Sequence, residues 1–383
     1  MSKKKKQHYV PKFYMKNFSD SQNKFYVYDV EKKTEIGLVP YKSQCQEVYF
    51  YGEDEVWENQ LSKMESQWAV AIDILKKEQS IDASTKKLIK QFALYQRQRT
   101  LGEVEFNRKI REELSITRGK MLCDNKKIPF DEKAESICKE YASDSISPAK
   151  VLQDTDELLP ILDDLGILVL NYKTKTKLLA SDVPIIAINP FHPHTIGYSV
   201  IGLILLFPIT SDKLVVIYDD KMYPRFKGQC YITSKNEKEV HNLNVLQLIS
   251  AQKILFCSSP LFEKSFNYDE WDARNRNRMG EAVTTMGTST QKLIAVNPRK
   301  TFYNCSFSFG KVSYSFDQIP YPCREAAPRQ YDAKWQKKLE SKGEIMGAIF
   351  AEWKREGKSK LSQKEIVRGC NAMLNATENY WQR

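Results

Sequence analysis

Gln7-His8-Tyr9-Val10-Pro11-Lys12-Phe13-Tyr14-Met15-Lys16-Asn17-Phe18 is the stretch on which the reading of this chain turns. It holds one of only four histidines, three aromatic residues besides Tyr9, and a proline that blocks helix where the apolar residues are densest. Disordered leaders are poor in aromatic residues, so this segment is folded. Its aromatics need a surface to pack on, and its histidine needs partners.

Working outward, residues 24–29 are aromatic and β-branched and read as a strand. A turn at 32–34 lets 35–39 pair with it as a hairpin, and 46–51 closes a small β region. Two helices follow. Trp57, Leu61, Met64, Trp68, Ile72 and Leu75 recur at steps of four and three and draw one apolar stripe. Asp82 caps the second helix, where Leu88, Ile89, Phe92, Tyr95 and Leu101 keep the helical period, and helix is expected to persist to about residue 114.

The character changes at Leu158. Short apolar runs at 166–171, 178–180, 184–188, 201–207 and 213–218, separated by turn residues, predict a largely buried sheet, antiparallel because the connections are short. Residues 237–250 return to helix and 254–257 form one more strand. Beyond about residue 270 lie a basic linker at 274–278, an aromatic hairpin at 301–314, and closing helices at 335–354 and 362–381. The expected fold class is α+β: a mostly antiparallel central sheet, a packed helical pair, and an aromatic and helical C-terminal appendage. The expected spans are an N-terminal β segment 1–53, a helical region 54–157, a sheet-rich core 158–270 and the appendage 271–383.

Bulk properties narrow the class. At 383 residues the chain exceeds the usual ceiling for one core. It has no run of eighteen apolar residues, so no membrane-spanning helix is expected. The lysines at the start are followed by no apolar region of signal type. The eight cysteines are scattered with no C-x-x-C pair, which suits reduced thiols in a cytoplasm better than zinc or a disulfide scaffold. The net charge of +11 suits a polyanion such as nucleic acid, or equally a lysine-rich solvated surface. The motifs of a nucleotide-driven motor, a dinucleotide oxidoreductase and a standard serine hydrolase are missing.

Six motifs occur in order: Gln-His-Tyr-Val-Pro-x-Phe-Tyr from Gln7, Trp57-Glu58-x-x-Leu61-x-x-Met64-Glu65, Gln96-x-x-Arg99-Thr100, Ser181-Asp182-Val183-Pro184, Phe207-Pro208-Ile-Thr, and Asn242-Leu243-Asn244. Over roughly residues 6 to 258 the chain resembles the bacterial family catalogued as domain of unknown function four-two-three-eight. The first motif is the most specific. The family's usual Ser-Asp-Asn-Pro stands here as Ser-Asp-Val-Pro, which loses an amide. The resemblance carries no settled reaction. It implies a setting among bacterial defence and mobile-element genes, and with it nucleic-acid targets.

The residues also have a physical reading. His8 transfers protons near neutral pH or binds a metal, or else it fixes the turn before Pro11. Glu58 and Glu65 share one helical face, as do Gln96 and Arg99. If the helices pair antiparallel, Arg99 meets a glutamate and holds it ionised, either as a buried ion pair or as part of a metal or phosphate site. Asp182 sits at a strand end, where a carboxylate binds metal or substrate, or closes an Asx-turn. Asn244 lies in mid-helix, where asparagine is intrinsically poor, so something must accept its amide. His192 and His194 flank Pro193 in what reads as a solvated loop.

Two readings of function follow. In the first, the chain is a cytoplasmic enzyme acting on nucleic acid, a phosphodiesterase of phage-defence type. His8 is then the general acid or base, Arg99 stabilises the phosphorane, Glu65 and Asp182 hold a divalent metal or orient the nucleophile, and Gln96 and Asn244 complete the site. In the second, it is a non-catalytic module that binds nucleic acid, or a partner protein through the C-terminal appendage, and the polar cluster is a buried network. An enzyme acting on a small nucleotide is the third choice. Catalysis requires His8, Arg99 and Asp182 to converge in one open cleft.

Overall fold

The computed structural model describes residues 6–260, apart from 54, 145–147, 154, 190–196, 201 and 224–225, together with two strands further on. The chain runs β1 (Lys6–His8), α1 (Lys12–Lys16), β2 (Lys24–Asp29), β3 (Thr34–Pro40), β4 (Gln46–Val48), α2 (Val56–Lys76), α3 (Ala83–Gln98), α4 (Leu101–Lys126), α5 (Glu132–Asp144), α6 (Pro148–Gln153) and α7 (Thr155–Leu158). It continues with β5 (Gly166–Tyr172), β6 (Ala180–Ser181), β7 (Ile186–Ile188), β8 (Ile204–Pro208), β9 (Lys213–Tyr218), β10 (Tyr231–Ser234), α8 (Glu237–Ser250) and β11 (Ile254–Cys257), then β12 (Val283–Gly287) and β13 (Lys292–Val296).

The fold is α+β. A five-stranded sheet has the order β10-β5-β9-β8-β7, and a four-stranded sheet the order β3-β2-β11-β6. Among the described strands every pairing is antiparallel except β10 on β5. The hairpin 24–40 thus shares a sheet with β11, more than two hundred residues away in sequence. The expected aromatic hairpin 301–314, the closing helices, the basic linker 274–278, and the His192 and His194 loop lie outside the described residues.

The central strands read as continuous apolar runs because helices cover both faces of their sheet. Ile167, Val169, Leu205, Phe207, Val215 and Ile217 point toward the helical pair α2 and α3. Leu168, Leu170, Leu206, Leu214 and Val216 point the other way and meet Val240, Leu243 and Leu246 of α8. Phe92 of α3 is the hub of the first layer. Its ring lies 5.8 Å from Phe13, 5.7 Å from Tyr14 and Trp68, and 5.6 Å from Phe207. The opening segment is therefore wedged between the helical pair and the sheet, as its aromatics require. Each such ring contributes about 1.5–3 kcal/mol by burial.

Local expectations fail at identifiable places. Pro11 does not block helix but starts one: at φ −62° it is the N-cap of α1, and its carbonyl accepts from the amides of Tyr14 and Met15. Helix does not run unbroken to residue 114. Arg99 ends α3, and the Thr100 hydroxyl caps α4 by accepting from the Glu103 amide. Thr100-x-x-Glu103 is a capping-box spacing that marks this restart in the sequence. The strand expected at 46–51 stops at Val48, where Tyr49 turns to a positive φ. The run at 178–180 yields only the two-residue β6, because the Asn244 amide and not a strand engages its start. The edge strand β10 is too polar to announce itself by an apolar run.

Candidate functional site

The break between α3 and α4 places Arg99 beside the opening segment. Its side chain is fully buried. Nε donates to Gln96 Oε1 at 2.8 Å, and Nη1 donates to Glu65 Oε1 on α2 at 2.8 Å. Gln96 then turns its amide to the Tyr9 carbonyl at 3.0 Å. The helices do bring a carboxylate to the guanidinium, and that carboxylate is Glu65. Burial works against the charge of Arg99, yet the Glu65 carboxylate and the Tyr51 hydroxyl beside it hold its pKa above the ordinary range. The guanidinium also lies 5.8 Å from the Trp68 ring. Nη2 is buried with no hydrogen-bond partner among the described residues, an omission that ordinarily costs about 1–3 kcal/mol.

The opening segment and the loop after β4 close over this group. Gln7 is fully buried; its Oε1 accepts from the Tyr51 amide at 2.6 Å and its Nε2 donates to the Gly52 carbonyl at 2.9 Å. That clamp holds a turn in which Tyr49 has φ +51° and Gly52 has φ +109°, a region glycine enters freely and tyrosine does not. The Tyr51 hydroxyl donates to the His8 carbonyl at 3.1 Å, and burial raises its pKa, so it stays protonated. His8 Nε2 lies 3.0 Å from the Lys42 carbonyl. A carbonyl only accepts, so Nε2 carries the proton and Nδ1 the lone pair. Burial, aided by the charges of Lys12 and Arg99, lowers the His8 pKa to about 4, and the imidazole is neutral at pH 7.

A second group is built around Asp182, which is 1% exposed. Oδ1 accepts from the Gln252 amide at 2.9 Å and Oδ2 from the Lys253 amide at 2.8 Å. Burial raises its pKa to about 6 against the pull of those two bonds. The expectation of a local Asx-turn is corrected here. The carboxylate closes the turn between α8 and β11, some seventy residues away, and the Val183 amide goes to the Ser181 hydroxyl instead. Asn244 Oδ1 accepts from the Leu179 amide and its Nδ2 donates to the Lys177 carbonyl, both at 2.8 Å. Gln247, one turn further along α8, accepts from the Ser181 hydroxyl at 2.7 Å and donates to the Pro184 carbonyl at 3.0 Å. Asn244 thus holds the chain just before Ser181-Asp182-Val183-Pro184, and Gln247 holds that motif itself.

The structure therefore brings Glu65, Gln96 and Arg99 into contact and sets His8 close enough to feel the charge of Arg99. Asp182 and Asn244 take other partners. No hydrogen bond among the described residues joins Asp182 to His8 or Arg99. Nor do Glu65 and Asp182 share a partner, and no group of three or more His, Cys, Asp or Glu among the described residues is arranged to hold a metal. The β1–β4 ribbon lies between the two groups: Lys253 reaches Glu47 at 2.7 Å, and the Tyr9 amide donates to the Cys45 carbonyl at 3.0 Å. Sequence reasoning missed Gln7, Tyr51, Ser181 and Gln247. Gln7 and Ser181 stand inside two of the six motifs, and Gln247 follows Asn244 by three, on the same helical face. Nothing in the local sequence marks Tyr51.

The family model described as a protein of unknown function (DUF4238) matches residues 6–260, about two thirds of the chain, and this protein belongs to that family. The match begins at the opening segment and ends just past β11, so it takes in both polar groups. No curated protein and no solved structure matches the chain. No helix among the described residues is long and apolar enough to cross a membrane.

Proposed function

We propose that this protein is a cytoplasmic, non-catalytic module that binds nucleic acid, in which the family core is a scaffold locked by buried polar networks. One observation carries this reading: Gln96, Asp182 and Asn244 commit their side chains to main-chain groups far away in sequence or, for Gln96, to Arg99 as well. Side chains so engaged specify the packing of segments and leave little to offer a substrate. The distribution of charge supports the same reading. Residues 6–260 hold 35 Lys and Arg against 34 Asp and Glu, a net of +1. Of the total of +11, Lys3, Lys4 and Lys5 supply +3, and residues 261–383, with 21 basic and 14 acidic side chains, supply +7. The polyanion attraction thus belongs to the flanks of the core.

The test is anisotropy of a labelled single-stranded oligonucleotide with the full chain across a salt series. The expected affinity falls steeply with salt, with a slope of about −0.7 per phosphate neutralised. Changing Lys3, Lys4, Lys5, Arg274, Arg276 and Arg278 together to glutamine is expected to flatten that slope, whereas neutralising Lys76, Lys139 and Lys213 in the core leaves it unchanged. Absence of binding at low salt refutes the proposal.

A second reading, a phosphodiesterase of defence type, has one observation in its favour. His8 is neutral with an unprotonated Nδ1, and Arg99, whose charge it feels, is paired with a carboxylate, Glu65, that reaches solvent. An activity that survives His8→Ala in a folded protein removes it.

A further inference from the structure

Arg99 is held asymmetrically. Nε is taken by Gln96 and Nη1 by Glu65, while Nη2 is buried and has no partner among the described residues. An oxyanion that grips a guanidinium in the forked manner occupies two of its nitrogens in parallel. Glu65 engages through one. The pair is also asymmetric in exposure: the Arg99 side chain is 0% exposed and that of Glu65 is 25% exposed. Glu65, on α2, is the piece of this group that touches water. The charges that act on neighbouring His8 are those of Lys12 and Arg99, both positive. The Tyr51 hydroxyl lies against Arg99 and feels Glu65 and Glu58 as well, so it lines the same site, although its geometry leaves Nη2 without a hydrogen bond.

We infer that Arg99 is the floor of an oxyanion site in the core, occupied at rest by the Glu65 carboxylate as a displaceable internal stand-in. The external ligand is a phosphate-type group, whose oxygens meet Nη1 and Nη2 together once Glu65 turns toward solvent. Gln96 holds Nε and fixes the plane of the fork. Such a site explains why a fully buried arginine keeps one terminal nitrogen unsatisfied: the resting partner is one oxygen short of the ligand. The inference goes beyond binding by the basic flanks, because this site lies in the charge-balanced core, and loss of oligonucleotide binding by the flank variants leaves it untouched.

The experiment is calorimetric titration of the full chain at fixed ionic strength with inorganic phosphate and, separately, with a nucleoside 5′-monophosphate. Wild type, Glu65→Gln and the double variant Glu65→Gln with Arg99→Lys are compared, with thermal melts in phosphate and in chloride. Glu65→Gln removes the competing charge and is expected to bind phosphate about tenfold more tightly than wild type or better. Phosphate is expected to raise the melting temperature of Glu65→Gln more than that of wild type. Lysine at 99 keeps the charge without the fork and is expected to abolish the gain. Equal affinity for both ligands identifies the free ion as the occupant, and tighter nucleotide binding identifies the phosphate of a nucleotide or strand end. A folded Glu65→Gln whose affinity for phosphate is no higher than that of wild type overturns the inference. If Glu65→Gln does not fold, Glu65→Asp, with its shorter reach, takes its place in the same comparison, and affinity no higher than wild type overturns the inference there too.

Discussion

Replacing Asp182 by alanine tests whether this buried carboxylate is a structural latch. The change strips the acceptor from two half-buried main-chain amides, those of Gln252 and Lys253. A donor left without its partner costs about 1–3 kcal/mol when buried, and at the low end of that range for these two half-buried amides the fold is expected to lose about 2 kcal/mol. The loss also has a definite pH dependence. The folded pKa is raised to about 6 by burial, above the unfolded value of about 3.9. A carboxylate raised in this way favours the fold when protonated. Its contribution is fully present below about pH 3.9 and is lost as pH rises through about 6. Linkage then makes the difference between wild type and Asp182→Ala larger at pH 5 than at pH 7, by about 1.3 kcal/mol. Urea denaturation of both proteins at the two pH values measures this, and hydrogen exchange at the 252 and 253 amides localises it. A stability difference that is flat, or that grows from pH 5 to pH 7, refutes the assignment of a burial-raised carboxyl. Retained exchange protection at those amides refutes the latch.

Two further predictions concern neighbouring groups. His8 has a folded pKa lowered to about 4, so its contribution is fully present above the unfolded value of about 6.5 and lost as pH falls toward about 4. An NMR titration of the imidazole is expected to show the neutral Nε2–H form throughout pH 5–8, and a midpoint near 6.5 contradicts the burial described. Asn244→Ala orphans the Leu179 amide and the Lys177 carbonyl, for an expected loss of about 2–6 kcal/mol in denaturant melts. Asn244→Asp, which keeps the acceptor and loses the donor, is expected to fall between wild type and alanine, and equal stability of all three contradicts the clamp.

What the sequence determined by itself was whatever depends on period and composition. The helix 237–250 and the strand 254–257 match the structure residue for residue, because α8 and β11 carry their own periodicity and boundaries. The stripe from Trp57 to Leu75 marked α2, the spacing of Gln96 and Arg99 put both on one face, and the aromatic density of residues 7–18 required a buried segment. Tertiary structure decided the partners. That Glu65 and not Glu58 reaches Arg99 depends on how two helices pack. That Asp182 caps a turn seventy residues away, with Asn244 and Gln247 clamping the chain beside it, depends on α8 crossing the strand ends. Neither fact has a local signature, because a side-chain-to-backbone hydrogen bond across such separations leaves no period in the sequence. The same holds for Tyr51, whose place beside Arg99 comes from a clamp supplied by Gln7 of β1. Sequence periodicity is set by the geometry of one element, whereas a polar network is set by the meeting of several, and only the folded chain brings them together.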